Sequence, residues 1–330
     1  MLRSGILRAV SVLLISLIMI FGCDTKKEDD TVQTEKTAEV QNEPADDGSE
    51  IQDIQIDDTF CTRENLKSLA NKYFNALAAH DPSMLPLAPD VKFTENGNEL
   101  KVGEGFWKTA GKVLLTRHLI DTLKCGTHTQ AVVEEPDAEG KIRPILFGVR
   151  LQYKNKKITE IETIIAREKE FAFTMGGAKG VLATKDQDWE GILPPSERIS
   201  RLALKAAADD YFDMFAKEPV VHTPFARECD RWENGVQTTT GGDVMVDGKN
   251  ISMPAHDCSP KGLVISNHGP RRVPLIDVEA GIVVTYVHFA SSLPDFHMFK
   301  VKNREIKLIQ AVVGPVSKSM GWPDEPICKD

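Results

Sequence analysis

Apolar positions along the chain change their period several times, and each change marks an element. Leu66, Leu69, Ala70, Tyr73, Phe74 and Leu77 recur at helical spacing on one stripe, the pattern of an amphipathic helix that buries one face. Leu204, Ala207, Ala208, Tyr211, Phe212 and Phe215 repeat it. Ser200 stands where the second helix needs an N-cap. The first helix is expected to stop at Asp81-Pro82, because a residue before proline is pushed out of the helical region. Further on the period drops to two. Residues 149–153 and 158–165, separated by a Lys/Asn turn, predict a hairpin. Residues 298–301 and 306–313 predict its counterpart, and shorter strands, including 281–290, fill the space between helix and hairpin. A helix followed by a curved antiparallel sheet, met twice, is an α+β plan. Residues 171–199, rich in Gly and Pro, link the halves.

The two halves are copies. At an offset of 204 − 66 = 138, Leu66-Lys67, Ala70, Tyr73-Phe74, Ala78, Pro86, Ala88 and Glu95-Asn96-Gly97 each meet the same residue in the second half. That is about 11 identities in some 32 ungapped positions, against roughly 2 expected by chance. The closing hairpins match at 302 − 154 = 148, with Lys154-Asn155 on Lys302-Asn303, Ile158 on Ile306 and Ile161 on Ile309.

The first residues carry the parts of an export signal: Arg3 and Arg8, an apolar run over 10–21, then Gly22 and Cys23. The run is shorter than the roughly 20 residues of a spanning helix. Ile20-Phe21-Gly22-Cys23 resembles the lipobox of bacterial lipoproteins, which implies lipidation at Cys23 and a membrane anchor facing the periplasm or the exterior. Residues 24–58 hold 13 acidic side chains against Lys26, Lys27 and Lys36. Such a segment buries too little apolar area to offset the entropy of ordering, so a disordered tether is expected. It accounts for the chain's net charge of −9 and leaves the rest near neutral. A basic footprint for nucleic acid is therefore missing. With Cys23 lipidated, Cys61, Cys125, Cys229, Cys258 and Cys328 remain. Their spacing fits no zinc pattern, and the preferred pairs are Cys61–Cys125 and Cys229–Cys258, with other connectivities left open.

Several stretches together carry a family resemblance. They are the helical Leu-x-x-x-Ala-x-x-Tyr-Phe, Ala79-His80-Asp81-Pro82, Pro86-Leu87-Ala88-Pro89-Asp90, Phe93-Thr94-Glu95-Asn96-Gly97 and Lys157-Ile158-Thr159-Glu160-Ile161-Glu162-Thr163-Ile164. These resemble SnoaL-like members of the nuclear transport factor 2-like superfamily in a tandem form, over roughly residues 60–323. The resemblance implies two cone-shaped domains, 59–171 and 200–330, joined by a linker over 172–199. In each, a helix would lie along a bent sheet with a pocket between them, suited to a small apolar or amphipathic ligand. Some relatives are isomerases, lyases or cyclases that transfer protons, while others only bind. A fold alone does not choose between them.

Candidate chemistry is sparse. Glu95 and Glu233 end strands before Asn-Gly turns, where either could act as a general base if an apolar wall raised its pKa. The plainer reading is a turn that the backbone needs twice. Alternation puts Tyr286 and His288 on one strand face, and Thr285, Val287 and Phe289 on the other. A Tyr and a His side by side could serve as oxyanion donor and acid–base group, or simply as a hydrogen-bonded surface pair. Glu233, Tyr286 and His288 are thus the catalytic candidates; Tyr73, Glu95, Tyr211 and Trp232 are the ligand-contact candidates. No nucleophile elbow, zincin, P-loop or dinucleotide motif occurs, so no metal or cofactor is expected. Three functions fit: a tethered binding protein, a cofactor-independent isomerase or lyase active in the second half, and an interaction module whose sheet faces pack half on half. A monomer is expected.

Overall fold

The computed structural model describes residues 59–170, 177–216, 223–246, 249–252, 254–260 and 271–323. The export segment with Cys23, the 24–58 tether and Cys328 lie outside the described residues. Helix α1 (Arg63–Ala78) is capped by Thr62, whose hydroxyl accepts from the Asn65 N–H at 3.2 Å. It ends three residues before the expected stop. Asp81 instead caps a short 3-10 turn, Pro82–Met84, accepting from the Ser83 N–H. Strands β1 (Leu87–Glu95), β2 (Asn98–Leu100), β3 (Val113–Asp121), β4 (Gly126–Pro136), β5 (Ile142–Lys154) and β6 (Lys157–Ala166) follow. They form a sheet of order β2-β1-β6-β5-β4-β3.

After linker helix α2 (Gly177–Ala183), the second copy opens with α3 (Arg201–Asp213), capped by Ser200 as the sequence implies. Its strands are β7 (Phe225–Glu233), β8 (Val236–Gln237), β9 (Asp243–Val246), β10 (Lys249–Ser252), β11 (Arg271–Asp277), β12 (Ile282–Phe289), β13 (Leu293–Lys302) and β14 (Glu305–Val313). The second sheet runs β11-β12-β13-β14-β7-β8, and β9 and β10 pair separately. The sheets are mixed where antiparallel ones were expected. β1 runs parallel to β6, and β7 to β14. Almost the whole copy lies between the two members of each pair, which gives the long connection that parallel pairing needs.

Both expected hairpins form, turning through Asn155-Lys156 and Asn303-Arg304 with positive φ at both positions. The repeated Asn-Gly turns have a structural reason that the sequence only hinted at. The Asn96 side chain donates to the Ile165 carbonyl (3.2 Å) and accepts from its N–H (2.8 Å), extending the parallel ladder by one residue. Asn234 treats Val313 in the same way. Gly97 and Gly235 then permit close backbone approach: a Cβ would stand 1.9 Å from the Ser319 carbonyl oxygen or from that of Gly177. Each copy therefore sends the segment after its last strand onto the other copy's turn.

Three apolar clusters are buried among the described residues. One lies between α1 and the first sheet, and one between α3 and the second. The third joins the outer faces of the two sheets, with Leu119, Val132, Leu146 and Ile164 against Ile282, Val284, Tyr286, Phe296 and Met298. Its flank is ionic and reciprocal. Arg201 grips Asp121 through both terminal nitrogens (2.8 and 2.7 Å), and Asp121 also accepts from the Ile276 N–H. Arg63 likewise grips Asp277, which accepts from the Ile120 N–H at 3.0 Å. Both carboxylates are buried, so the paired guanidinium forks satisfy charges that would otherwise be strongly destabilising.

Disulfides join Cys61 to Cys125 and Cys229 to Cys258, the preferred pairs. Such bonds fit an oxidising, extracytoplasmic compartment. Among the described residues no helix is long and apolar enough to cross a membrane.

Candidate ligand site in the second cone

The concave face of the second sheet looks toward α3. Alternation along β12 and β13 brings Thr285, Val287, Phe289, Asp295, His297 and Phe299 to that face, where Tyr211 and Phe212 of α3, with Phe215 just past its end, close over them. Asp295 is fully buried there. One carboxylate oxygen meets His297 Nδ1 at 3.0 Å; the other is buried without a hydrogen-bond partner. Burial pushes the Asp295 carboxyl up to about 6, against the opposing pull of His297. The His297 ring lies stacked beside Phe299, with centroids 5.9 Å apart, and edge-on to Phe212 at 5.0 Å. The Thr285 hydroxyl, paired across the strands with His297, is also buried without a partner.

A cationic wall stands beside this pair. Arg231, on β7, donates to the Tyr211 phenol oxygen (3.2 Å), the Cys258 carbonyl (3.1 Å) and the Thr238 hydroxyl (2.9 Å), and pairs with Glu233 at 3.1 Å. Burial works against the guanidinium charge, but Tyr211 and Glu233 outweigh it and raise its pKa. Burial also drives the Tyr211 phenol up to about 12, with Arg231 pulling the other way. The Cys229–Cys258 disulfide ties the strand that carries Arg231 to the carbonyl that orients it.

The first cone has the same plan and different contents. The 148-residue offset places Phe147, Val149 and Leu151 where the second copy has Asp295, His297 and Phe299. The 3-10 turn Gly105–Lys108 drives Phe106 and Trp107 into the core, within 5.2 Å of Phe147 and 5.4 Å of Tyr73. Glu95 accepts from the Phe106 N–H at 2.8 Å. Burial raises its pKa, and that hydrogen bond opposes the rise.

The sequence candidates divide between sheet faces. Tyr73 and Tyr211 are buried on their helices facing the sheets, and Glu233 lies in the second cone beside Arg231. Tyr286 and His288 do share a face, but it is the one turned toward the first copy. Tyr286 bonds His128 Nδ1 at 3.0 Å, and His288 meets the Ser317 carbonyl. Glu233 and Tyr286 are thus separated by the sheet, and the three catalytic candidates do not converge. Trp232, between Arg231 and Glu233, also turns away from the cone. Asp295, His297 and Arg231 were missed. The available signal was Asp295-Phe296-His297-Met298-Phe299, which alternates two polar residues onto one face of an otherwise apolar strand.

Twice over, a helix lies along a curved six-stranded mixed sheet, the tandem α+β helix-on-sheet plan that the sequence implies. The chain belongs to the family described as Domain of unknown function (DUF8021), which matches residues 60–165 and 197–313. No protein of curated function matches it. Among solved structures, a putative polyketide cyclase from Xanthomonas campestris pv. campestris is similar at 18% identity, over 31% of this chain and 90% of its own, with a TM-score of 0.27. AclR, a putative hydroxylase from Streptomyces galilaeus, is similar at 16% identity, over 32% and 90%, with a TM-score of 0.26. TerC, crystallised with polyporic acid, is similar at 14% identity, over 30% and 89%, with a TM-score of 0.25.

Proposed function

We propose that the second copy binds a small amphipathic molecule in its cone, while the first copy serves as the packed partner that holds it. In this reading the chain works outside the cytoplasm as a monomer, anchored through lipid on Cys23 and spaced from the membrane by residues 24–58. One observation carries the binding role: a fully buried carboxylate oxygen of Asp295 with no partner, in a ring-lined cone. Native structures rarely leave such an atom unsatisfied, because its desolvation costs about 1–3 kcal/mol or more. A ligand hydroxyl or amide placed there would satisfy it, with its apolar part against Phe212, Phe289 and Phe299.

The Asp295–His297 pair favours a second reading, a cofactor-independent isomerase or lyase. A carboxylate whose pKa lies near 6 is poised to take a proton from a carbon next to a carbonyl, and His297 at 3.0 Å holds it in place. Arg231 and the Tyr211 phenol would face the oxygen on which charge develops.

Native mass spectrometry of the full chain, purified from its own membranes, tests the binding role. A bound small molecule that is retained by the wild type and lost from Asp295→Asn is expected; a chain that carries nothing in either form refutes it. Labelled palmitate that enters the wild type but not Cys23→Ser tests the anchor. Solvent-deuterium exchange into the recovered ligand, dependent on Asp295, separates catalysis from binding.

A further inference from the structure

A cavity of mixed polar and apolar lining lies away from both cones. It has a volume of about 470 Å³ and opens between the linker, where Thr184, Asp186 and Gln187 follow α2, and the β7–β8 turn, with Trp232, Gly235 and Gln237. That volume falls within the roughly 300–1,000 Å³ range of small-ligand sites. Its walls are fixed from behind. The side-chain oxygen of Gln187 accepts from Trp189 Nε1 and from Gln310 Nε2, both at 2.9 Å. This orients the amide so that its NH₂ is left to donate. Gln237 donates its own NH₂ to Asp230 at 3.2 Å, which leaves its carbonyl to accept. The Thr184 hydroxyl is engaged by Arg117 and Gln310, and Asp186 is exposed at the rim. Backbone packing of Gly180 against Gly235 locks the two walls together, since a Cβ on Gly180 would stand 1.7 Å from the Gly235 carbonyl oxygen.

The chemistry of this lining is selective. It presents an oriented donor, an oriented acceptor and a carboxylate beside an indole, and no lysine or arginine. The missing cation argues against phosphate or carboxylate ligands. Planar amides and a carboxylate set against an aromatic ring suit a neutral molecule with hydroxyls along its edge and a weakly apolar face. We propose that this cavity is a saccharide site, taking a free sugar or the end of a glycan chain, and that it is independent of the cone.

The test uses the full chain and saturation-transfer NMR with glucose, N-acetylglucosamine, maltose and diacetylchitobiose, alongside cosedimentation with insoluble amylose and chitin. Transfer to at least one soluble sugar is expected for a free-sugar ligand; cosedimentation alone would assign the site to a chain. Asp186→Asn and Gln237→Ala should each weaken binding by about tenfold or more, the effect of removing one hydrogen bond to a ligand. Asp295→Asn, in the cone, should leave it unchanged. Asp186 is exposed, so that variant keeps its fold, to be checked by an unaltered melting temperature. Absence of both transfer and cosedimentation overturns the proposal, and so does binding that survives Asp186→Asn and Gln237→Ala together.

Discussion

The two cones share a helix-borne tyrosine and a strand-end glutamate, and they differ on the strand between. In the first copy Phe147, Val149 and Leu151 meet Phe106 and Trp107, which the 3-10 turn pushes inward, and the strand face is wholly apolar, although Tyr73 Oη, Trp107 Nε1 and Tyr153 Oη are buried there without hydrogen-bond partners. In the second, Asp295 and His297 take the corresponding places, Arg231 stands where the first copy has Phe93, and two buried oxygens, on Asp295 and Thr285, lack partners. The same backbone thus carries one interior whose strand face is apolar and one whose strand face holds a buried carboxylate and imidazole. Duplication allows this division, since each copy keeps the backbone while its strand face can change independently.

Four experiments would break or sharpen the contrast. The largest effect belongs to the packed cone: Phe147→Ala should lower the unfolding free energy by about 3–5 kcal/mol in denaturant titration, without changing ligand retention. A smaller loss would mean that the first cone is not close-packed. Next come the reciprocal ion pairs. Asp121→Ala and Asp277→Ala each remove the carboxylate from a partly buried arginine and leave two backbone N–H donors without it, and should each cost about 3 kcal/mol. Asp277→Ala should be somewhat the milder, because Arg63 keeps Glu279 at 2.7 Å, and a larger loss at Asp277 than at Asp121 would deny this account of the joint.

The third contrast is in pH. The Asp295 pKa is raised to about 6 in the folded chain, above the value of about 3.9 for an unfolded aspartate. The folded state therefore binds the extra proton between those values, and stability falls as pH rises from 4 to 7. That fall should reach about 3 kcal/mol for this group and be absent from Asp295→Asn; matching pH profiles would remove the raised pKa. The smallest effect is at the caps, where Thr62→Ala and Ser200→Ala should each cost about 1 kcal/mol, equally in both copies.

Much of the fold was legible because duplication wrote it twice. The helix stripe at Tyr73 and Tyr211, the two-residue hairpin turns and the Asn-Gly turns all recur at fixed offsets, and all became the elements they imply. The parallel pairs were not legible, since alternation records which face a side chain takes and not the direction of the neighbouring strand. The site was harder for a related reason. β12 is buried on both faces, against α3 on one and the first copy's sheet on the other, so its apolar pattern carries little contrast between cone and joint. Tyr286 and His288 were placed together correctly, but nothing in the string of residues says which face looks into the cone. Asp295 and His297 lie two apart on a strand with phenylalanines on either face, which hides their common direction.

The crossed arms at Gly97 and Gly235 have a temporal consequence. A chain made from its N-terminus delivers the first copy before its fasteners exist. Asp121 waits for Arg201 and Ile276, and the turn at Asn96-Gly97 waits for Ser319, more than two hundred residues later. The first copy is therefore completed only once these later residues of the second are in place. A chain cut after Gly314 should show its amides around Gly97 exchanging with solvent as if the second copy were still on its way.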